Sequence, residues 1–314
     1  MIKSLKNKIV VATLFIICMI ASQTMFAQQL PQYSQYLFND FALNPAVAGS
    51  RPYYDARSNV RNQWLGITDA PRTYILSIHG PLSIKNMGLG GRIYTDIVGP
   101  TRRIGIDVSY AYHIQVAQKT RLSFGLSGGL QQFAIDGSKI TLRDQGDQYL
   151  GNFVQSVIVP DFGFGIYLYH EKYFFSVSLP QITQNRLNYF PNVEEKGKLE
   201  DHYYVAAGYK FNLGENFQFE PSALMKYVAP VPMQFDFSGR IIYKDKFWFG
   251  GTYRTMDAVS ALVGFNIQDN MFFGYSYDYT ITNLQKYSSG THELMLGIKF
   301  IPNQPRTKSK SSID

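Results

Sequence analysis

The feature that most constrains the fold is a two-residue alternation between Met271 and Phe300. In two arms, residues 271–281 and 291–300, large apolar side chains occupy every second position and small or polar ones lie between them. This is the pattern of a β-strand with one apolar face. Each arm has about ten residues, enough to cross a bilayer as a tilted strand. The pattern therefore predicts a barrel wall between lipid and lumen, with Phe300 as its closing residue.

The same alternation recurs from Tyr53 onward and predicts an all-β fold, a transmembrane antiparallel outer-membrane β-barrel of about 14 strands. Tight turns such as 117–119 and 244–246 fall at every second connection, and long loops lie between them. That segregation is typical of outer-membrane barrels, whose short turns face the periplasm. The predicted strands are residues 53–64, 72–80, 87–95, 102–116, 120–134, 158–169, 173–180, 202–211, 217–228, 234–243, 247–255, 258–267, 271–281 and 291–300.

The N-terminus predicts the compartment. A basic start, an apolar run over Ile9–Ala21 and small residues near Ala27 indicate a cleaved signal peptide over residues 1–27. Because the single cysteine, Cys18, lies inside it, the mature chain is expected to lack disulfides and cysteine-ligated metals.

Charge and length exclude further classes. The formal net charge of +7 falls to about +2 without the three leader lysines and the tail residues Arg306, Lys308, Lys310 and Asp314. That balance predicts no nucleic-acid surface. After the leader there is no second long apolar run, so no membrane-spanning helix is expected.

Residues 28–52 break the alternation. Ser34 is suited to begin a short helix, and helical geometry should end at Asn44, which precedes Pro45. The density of aromatic residues favours a packed element over a loose arm. We therefore expect an N-terminal periplasmic latch or plug segment at 28–52, a barrel at 53–300 and a polar periplasmic tail at 301–314.

The sequence shows no constellation typical of an enzyme. The five histidines lie on separate strands or turns, without metal-ligand spacing. Asp107 and His113 are expected on the lumen face of one strand, where lumen polarity explains them better than a catalytic dyad. Trp64 and Trp248 are expected in the interfacial aromatic girdles, and glycines within strands as close contacts or kinks. We expect no catalytic residue, no cofactor and no metal.

Several spaced motifs resemble one family: Gln32–Tyr36, Asn44–Gly49, Arg61–Gly66 and Ala70–Thr73, then Gly274–Tyr279 and Gly290–Glu293. Together they resemble the PorP/SprF family of Bacteroidetes outer-membrane proteins, which is linked to type IX secretion and gliding motility. Asp69 stands where a glycine is commoner, a departure confined to one loop. The motif residues expected to form a latch or to contact partners are Gln32, Tyr33, Tyr36, Asn44, Pro45, Ala46, Gly49, Arg61, Trp64, Pro71, Asp278, His292 and Glu293.

This resemblance implies a non-enzymatic outer-membrane component that assists export or surface attachment of a cognate secreted adhesin-type protein. The implied partners are that secreted surface protein and other type IX components, including a periplasmic peptidoglycan-associated protein; membrane lipid would surround the barrel. The alternative is a FadL-like or porin-like channel for small or hydrophobic solutes, because Asn44-Pro45-Ala46 also resembles the hatch of FadL-type transporters. A channel would be expected to carry rings of lumen charge or a constriction loop.

Overall fold

A computed structural model describes residues 32–84, 86–140, 154–189, 198–267 and 270–300. The predicted signal peptide and polar tail lie outside these ranges. The described chain folds into one antiparallel sheet of fifteen strands. The strands are β1 (Tyr54–Asn62), β2 (Arg72–Pro81), β3 (Met87–Val98), β4 (Thr101–Gln115), β5 (Arg121–Asp136), β6 (Val154–Tyr169), β7 (Tyr173–Leu179), β8 (His202–Tyr209), β9 (Phe211–Leu213), β10 (Phe217–Val228), β11 (Val231–Tyr243), β12 (Phe247–Arg254), β13 (Ala258–Ile267), β14 (Met271–Thr280) and β15 (Thr291–Phe300).

The sheet closes on itself. β1 pairs with β15 from Tyr54–Phe300 to Asn62–His292, and β10 pairs with both β8 and β11. β8 and β9 pair with successive parts of β10 and are separated by Lys210, so they share one position in the wall. The wall therefore has fourteen positions, and the predicted barrel of about 14 strands is confirmed, with β9 as the extra strand.

The two faces of the wall alternate as the sequence predicts. On β14 the residues Phe272, Gly274, Ser276, Asp278 and Thr280 are buried inside, whereas Phe273 to Tyr279 on the odd positions face outward. Exposed large apolar side chains cover the outside along the strands, while the buried set is rich in arginine, aspartate, serine and asparagine. This inversion of a soluble protein's pattern is what a lipid-facing wall around a polar interior requires.

The two ends of the barrel differ in their connections. The turn end carries the six connections at 82–86, 116–120, 170–172, 214–216, 244–246 and 268–270. The opposite, loop end carries long connections at 63–71, 137–153, 180–201 and 281–290. It also carries three tight ones at 99–100, 229–230 and 255–257. The turn end is therefore uniformly short, whereas the loop end combines long and tight connections.

Residues Gln32–Ser50, which we call the lumen segment, lie inside the barrel. Two 3₁₀ turns, Asp40–Ala42 and Pro45–Val47, are their regular elements, and most of their side chains are buried. Gln32 borders the same cavity as Thr255 and Met256 at the loop end, and Gly49 packs against Gly88 at the turn end. The segment thus extends along the lumen between both ends. Within the described ranges, no helix has the length and apolar character to span a membrane.

Candidate functional site

A buried ion network holds the first residues of the lumen segment. Arg61 donates from Nη2 to Asp278 Oδ2 at 2.8 Å and from Nη1 to Glu293 Oε2 at 3.0 Å. The Ser34 hydroxyl donates to Asp278 Oδ2 at 2.6 Å and accepts from Arg61 Nη1 at 2.9 Å. The Ser34 backbone N–H donates to Glu293 Oε2 at 2.8 Å. All four residues are at most 2% exposed, so these charge-assisted bonds are shielded from solvent.

The sheet register explains why these residues meet. Arg61 of β1 lies directly opposite Glu293 of β15, and Glu293 lies opposite Ser276 of β14, two positions before Asp278. All three ionised side chains point inward because the inward positions alternate with lipid-facing ones. Glu293 also accepts the Gln35 backbone N–H at 3.3 Å. The closure of the barrel therefore creates the receptor for the segment.

The network continues through residues that the motif comparison did not single out. Arg254 donates from Nη2 to the Ser34 hydroxyl at 3.1 Å and from Nε to Asp236 at 3.3 Å. Lys226 donates to Asp236 Oδ2 at 2.8 Å. A detectable signal was present in the sequence, since each of these charges occupies an inward position of an alternating strand. We call Arg61, Lys226, Asp236, Arg254, Asp278 and Glu293 the loop-side ion network.

The later part of the lumen segment is held by close approach. A Cβ atom added to Gly125 of β5 would overlap the backbone of Pro45 and Ala46. One added to Gly165 of β6 would overlap the Asn44 side chain, and one added to Gly88 of β3 would overlap the Ala48 carbonyl. These three inward glycines, the glycine cradle, therefore make room for the segment. Gly49 itself has a φ of +74°, which favours glycine.

Asn44 joins this part of the segment to the wall. Its Nδ2 group lies 2.8 Å from Ser176 Oγ, 3.0 Å from the Ile166 carbonyl and 3.2 Å from the Val177 carbonyl. Its Oδ1 atom accepts the Ala46 backbone N–H at 2.8 Å and caps the 3₁₀ turn Pro45–Val47. One side chain therefore shapes the turn and fixes it to β6 and β7.

A second charged group lies near the turn end. Arg51 contacts both carboxylate oxygens of Asp40, at 2.9 and 2.8 Å, and Asp55 Oδ2 at 2.6 Å. Burial alone would lower the pKa of the Arg51 guanidinium, but Asp40 and Asp55 raise it above its ordinary value. Arg57 in turn makes a two-pronged contact with Asp55, at 2.8 and 2.6 Å. These pairs tie the end of the segment to β1.

The tyrosines of the first motif also face inward. The Tyr36 hydroxyl lies 2.9 Å from Ser222 Oγ, and its ring packs with Tyr204 and Leu224. Tyr33 packs with Ile75 and other buried side chains. Both phenol rings are therefore buried inside the lumen.

The structure separates other predicted residues from this site. Trp64 lies in the β1–β2 loop, where its backbone N–H donates to Thr291 Oγ1 of β15. In the same loop the Pro71 carbonyl accepts the Gln63 backbone N–H. His292 faces outward, where its Nδ1 lies 2.7 Å from the Tyr275 hydroxyl. Phe300 ends β15 on the outer face and is 50% exposed.

Two expectations about individual lumen residues have definite outcomes. Trp248 was expected in an interfacial girdle, and this was wrong: it is 4% exposed and lies inside, 4.1 Å from the Phe38 ring. Asp107 and His113 do share the lumen face of β4 but do not pair with each other. Asp107 bonds Arg92, and His113 lies 2.9 Å from the Ala48 carbonyl.

Two cavities flank the lumen segment. The turn-side cavity has a volume of about 570 Å³ and is bordered by Tyr36, Phe38 and the turn residues Glu171 and Asp245. The loop-side cavity, of about 280 Å³, is bordered by Gln32. Among the residues that the structure describes, no group of three histidine, cysteine, aspartate or glutamate side chains is placed to hold a metal ion.

Fold and site together define an outer-membrane β-barrel whose lumen holds its own N-terminal segment. The sequence matches, over residues 25–298, the family described as type IX secretion system membrane protein PorP/SprF. The chain therefore belongs to the PorP/SprF family, as the motifs predicted. A comparison with curated proteins finds no match.

Solved outer-membrane barrels share the fold. The Ralstonia pickettii toluene transporter TbuX has a TM-score of 0.50 and 10% identity, covering 82% of this chain and 92% of that chain. Acinetobacter baumannii Omp33 has a TM-score of 0.46 and 8% identity, covering 79% of this chain and 97% of that chain. A Pseudomonas aeruginosa FadL homologue has a TM-score of 0.45 and 8% identity, covering 79% of this chain and 88% of that chain. At these identities the likeness concerns the fold alone.

Proposed function

We propose that this protein is a non-enzymatic outer-membrane component of the type IX secretion system that assists export or surface attachment of a cognate secreted adhesin-type protein. Membership in the PorP/SprF family supports the assignment to type IX secretion. The lumen filled by the lumen segment supports a role in binding partner proteins. The lumen segment is bonded to β1, β14 and β15 near the loop end and to β6 and β7 farther along. Such a barrel offers fixed surfaces to partner proteins at its two ends, whereas a channel needs a passage.

The orientation belongs to the same proposal. We place the turn end in the periplasm, where peptidoglycan-associated components of the system would reach it, and the loop end at the cell surface. The uniformly short connections of the turn end support this placement. The segment then runs through the lumen from the surface-facing mouth, at Gln32, to the periplasmic end, at Gly49, and is a plug that is not confined to the periplasmic side as the sequence predicted. Residues 1–27 are removed as a signal peptide during export.

Impermeant maleimide labelling of single cysteines on intact cells tests the orientation. Lys139→Cys and Tyr287→Cys, both exposed near the loop end, should react. Lys119→Cys and Asp245→Cys, exposed at the turn end, should react only after the outer membrane is opened. Equal reaction of both sets on intact cells would contradict the orientation.

A FadL-like channel is the second candidate function. The TbuX-like fold and the two cavities flanking the lumen segment favour it. In that mechanism the segment is a hatch that moves aside for a solute. In the secretion mechanism the segment is a permanent part of a partner-binding structure.

Deleting Gln32–Ala42 separates the two candidates. The loop-side ion network has three cations and three anions, which still neutralise one another without the segment, so the wall should assemble. Heat-modifiability of the barrel checks this. Permeability to small solutes should rise under both candidates, since more than half of the lumen segment is removed. Export is the deciding measurement: our proposal expects surface delivery of the cognate protein to be lost. Normal delivery, at a normal barrel level, would contradict it, and Tyr287→Ala serves as the matched surface variant.

A further inference from the structure

Two arginines face outward at the loop end of the barrel wall. Arg72 is the first residue of β2, Arg102 is the second residue of β4, and both are exposed. Arg72 lies directly opposite Ile97 of β3, and Ile97 lies directly opposite Arg102. Because neighbouring strands lie about 4.8 Å apart, the two arginine Cα atoms are separated by roughly 10 Å. The sheet register therefore places the two cations side by side, with one apolar residue between them.

Alternation puts both side chains on the lipid-facing side of the wall. The residues that follow them, Thr73 and Arg103, are buried in the lumen, so Arg72 and Arg102 point the other way. Exposed apolar side chains continue the same two outward faces toward the turn end: Tyr74, Leu76, Ile78, Ile106 and Val108. The arginines thus stand at the edge of the apolar band, where the hydrocarbon region of a membrane gives way to headgroups.

Neither arginine is paired within the described part of the chain. The ion pairs there include neither Arg72 nor Arg102. Of the carboxylates at this end, Asp136 accepts the Ser138 hydroxyl at 2.6 Å. Asp69 is exposed in the β1–β2 loop and pairs with neither arginine. Both guanidinium groups, which only donate, are therefore available to an acceptor from outside the chain.

We propose that Arg72 and Arg102 form a clamp for the phosphate of a membrane lipid whose acyl chains lie on the apolar faces of β2 and β4. Guanidinium forks match the geometry of phosphate oxygens, and two of them reach one headgroup from both sides. Under the proposed orientation, this lipid belongs to the surface-facing leaflet. The site goes beyond the secretion role and rests only on the placement of the barrel in a membrane.

The position on the wall argues against two other occupants. Free phosphate has no apolar part, so it would gain nothing from the exposed apolar side chains beside the clamp. An acidic protein segment would have to enter the plane of the membrane, where its backbone polar groups would lose water. A phosphorylated lipid satisfies both the cations and the apolar surface.

Quenching of tryptophan fluorescence by brominated lipids in vesicles tests the clamp. In the full mature chain, Trp64→Phe removes the loop tryptophan, and Trp248 lies inside the lumen, where lipid cannot contact it. Tyr74→Trp then places a reporter on the outer face of β2, two residues after Arg72. We compare brominated phosphatidic acid with brominated phosphatidylcholine, each in phosphatidylcholine vesicles. The two arginines should give an approximately thirtyfold preference for phosphatidic acid at this reporter.

A second reporter position and matched variants locate the binding. Tyr253→Trp, on the outer face of β12, should show no preference between the two lipids, because no outward arginine or lysine of β11, β12 or β13 lies beside it. Arg72→Gln and Arg102→Gln should each lower the preference at Tyr74→Trp about fivefold. Lys172→Gln, an exposed cation at the turn end, should leave it unchanged.

Heat-modifiability checks that each variant is folded. In vesicles of phosphatidylcholine alone, neither arginine substitution should change the unfolding midpoint in urea, because this headgroup carries no net charge. If an arginine variant does not fold, Arg72→Lys takes its place: it keeps the charge but loses the fork, and the preference should fall about twofold.

Several results would overturn the clamp: equal quenching by the two lipids at Tyr74→Trp, the same preference at Tyr253→Trp, or an unchanged preference in the folded arginine variants. Loss of the preference on adding inorganic phosphate would assign the site to a free anion, and loss on adding a blocked tetraglutamate peptide would assign it to an acidic protein. The assay uses the purified barrel without other secretion components. Its failure would leave the secretion proposal standing, and a failed export experiment would leave the clamp standing.

Discussion

The lumen segment is held in two different ways along its length. Near the loop end, Ser34 and Gln35 bind through the charges of Arg61 and Glu293. Near the turn end, Pro45–Gly49 is held mainly by shape, because the glycine cradle lets backbone meet backbone. Binding of the first region depends on the charged side chains of the wall, and binding of the second depends on the absence of side chains at the three cradle glycines.

This difference predicts different responses to substitution. Removing one member of a buried ion group leaves its partners as uncompensated charges shielded from solvent, which is costly. Adding a single methyl group to a close contact displaces backbone, which costs less when the segment can shift. Losing one hydrogen bond costs least. The predictions below follow that order.

The largest effect is expected for Arg61→Ala. Asp278 and Glu293 would lose the cation that they share. Of these two carboxylates, Arg254 forms an ion pair with Asp278, at 3.6 Å. We expect a loss of about 3 kcal/mol in the free energy of unfolding, measured by urea titration in lipid vesicles. Arg102→Ala, an exposed arginine, should change it by about 0.5 kcal/mol at most. Equal effects of the two variants would show that the network does not stabilise the barrel.

A smaller effect is expected for Gly125→Ala. The new methyl group would meet the backbone of Pro45 and Ala46, so overpacking should cost about 2 kcal/mol. Gly128→Ala on the same strand is the matched control, because its methyl group would lie 3.5 Å from Phe162 in ordinary contact. The same unfolding titration compares them. Equal unfolding free energies for Gly125→Ala and Gly128→Ala would refute the claim that Gly125 makes room for the lumen segment.

Asn44→Ala should follow closely. It removes the cap of Pro45–Val47 and the bonds to β6 and β7, so we expect a loss of about 1.5 kcal/mol. Protease cleavage within the lumen segment should also become faster, which a gel time course would detect. Asn212→Ala, exposed on β9, provides the reference rate. Identical rates would mean that Asn44 does not anchor the segment.

The smallest effect is expected for Tyr36→Phe. The variant keeps the ring but loses the hydroxyl contact with Ser222, for about 1 kcal/mol of unfolding free energy. Tyr110→Phe, which changes an outward-facing hydroxyl, should be neutral within the precision of the titration. If Tyr36→Phe leaves the free energy of unfolding unchanged, the Tyr36 ring, and not its hydroxyl, holds this residue in place.

Alternation in the sequence was enough to predict the wall, its faces and the inward direction of Asp278 and Glu293, which are joined by Arg61 in the structure. It could not predict that these three meet Ser34, because that depends on closure between β1 and β15, more than 200 residues apart in the chain. The glycine cradle was missed for a related reason. A strand pattern reports which face a glycine occupies but not what approaches it. Trp248 was misplaced because its even position on β12, which points inward, was outweighed by the general preference of tryptophan for interfaces.

The central claim is that the lumen segment lies inside the barrel, against the inner face of β1. Asn39 Nδ2 donates to Asn59 Oδ1 at 2.9 Å, and Asn59 faces inward, whereas the adjacent Ser58 lies on the outer face. The most direct measurement is crosslinking in intact outer membranes with dibromobimane, followed by mass spectrometry of the linked peptides. Asn39→Cys with Asn59→Cys should crosslink efficiently, and Asn39→Cys with Ser58→Cys should not. Equal crosslinking of both pairs, or crosslinking only to Ser58→Cys, would contradict the account.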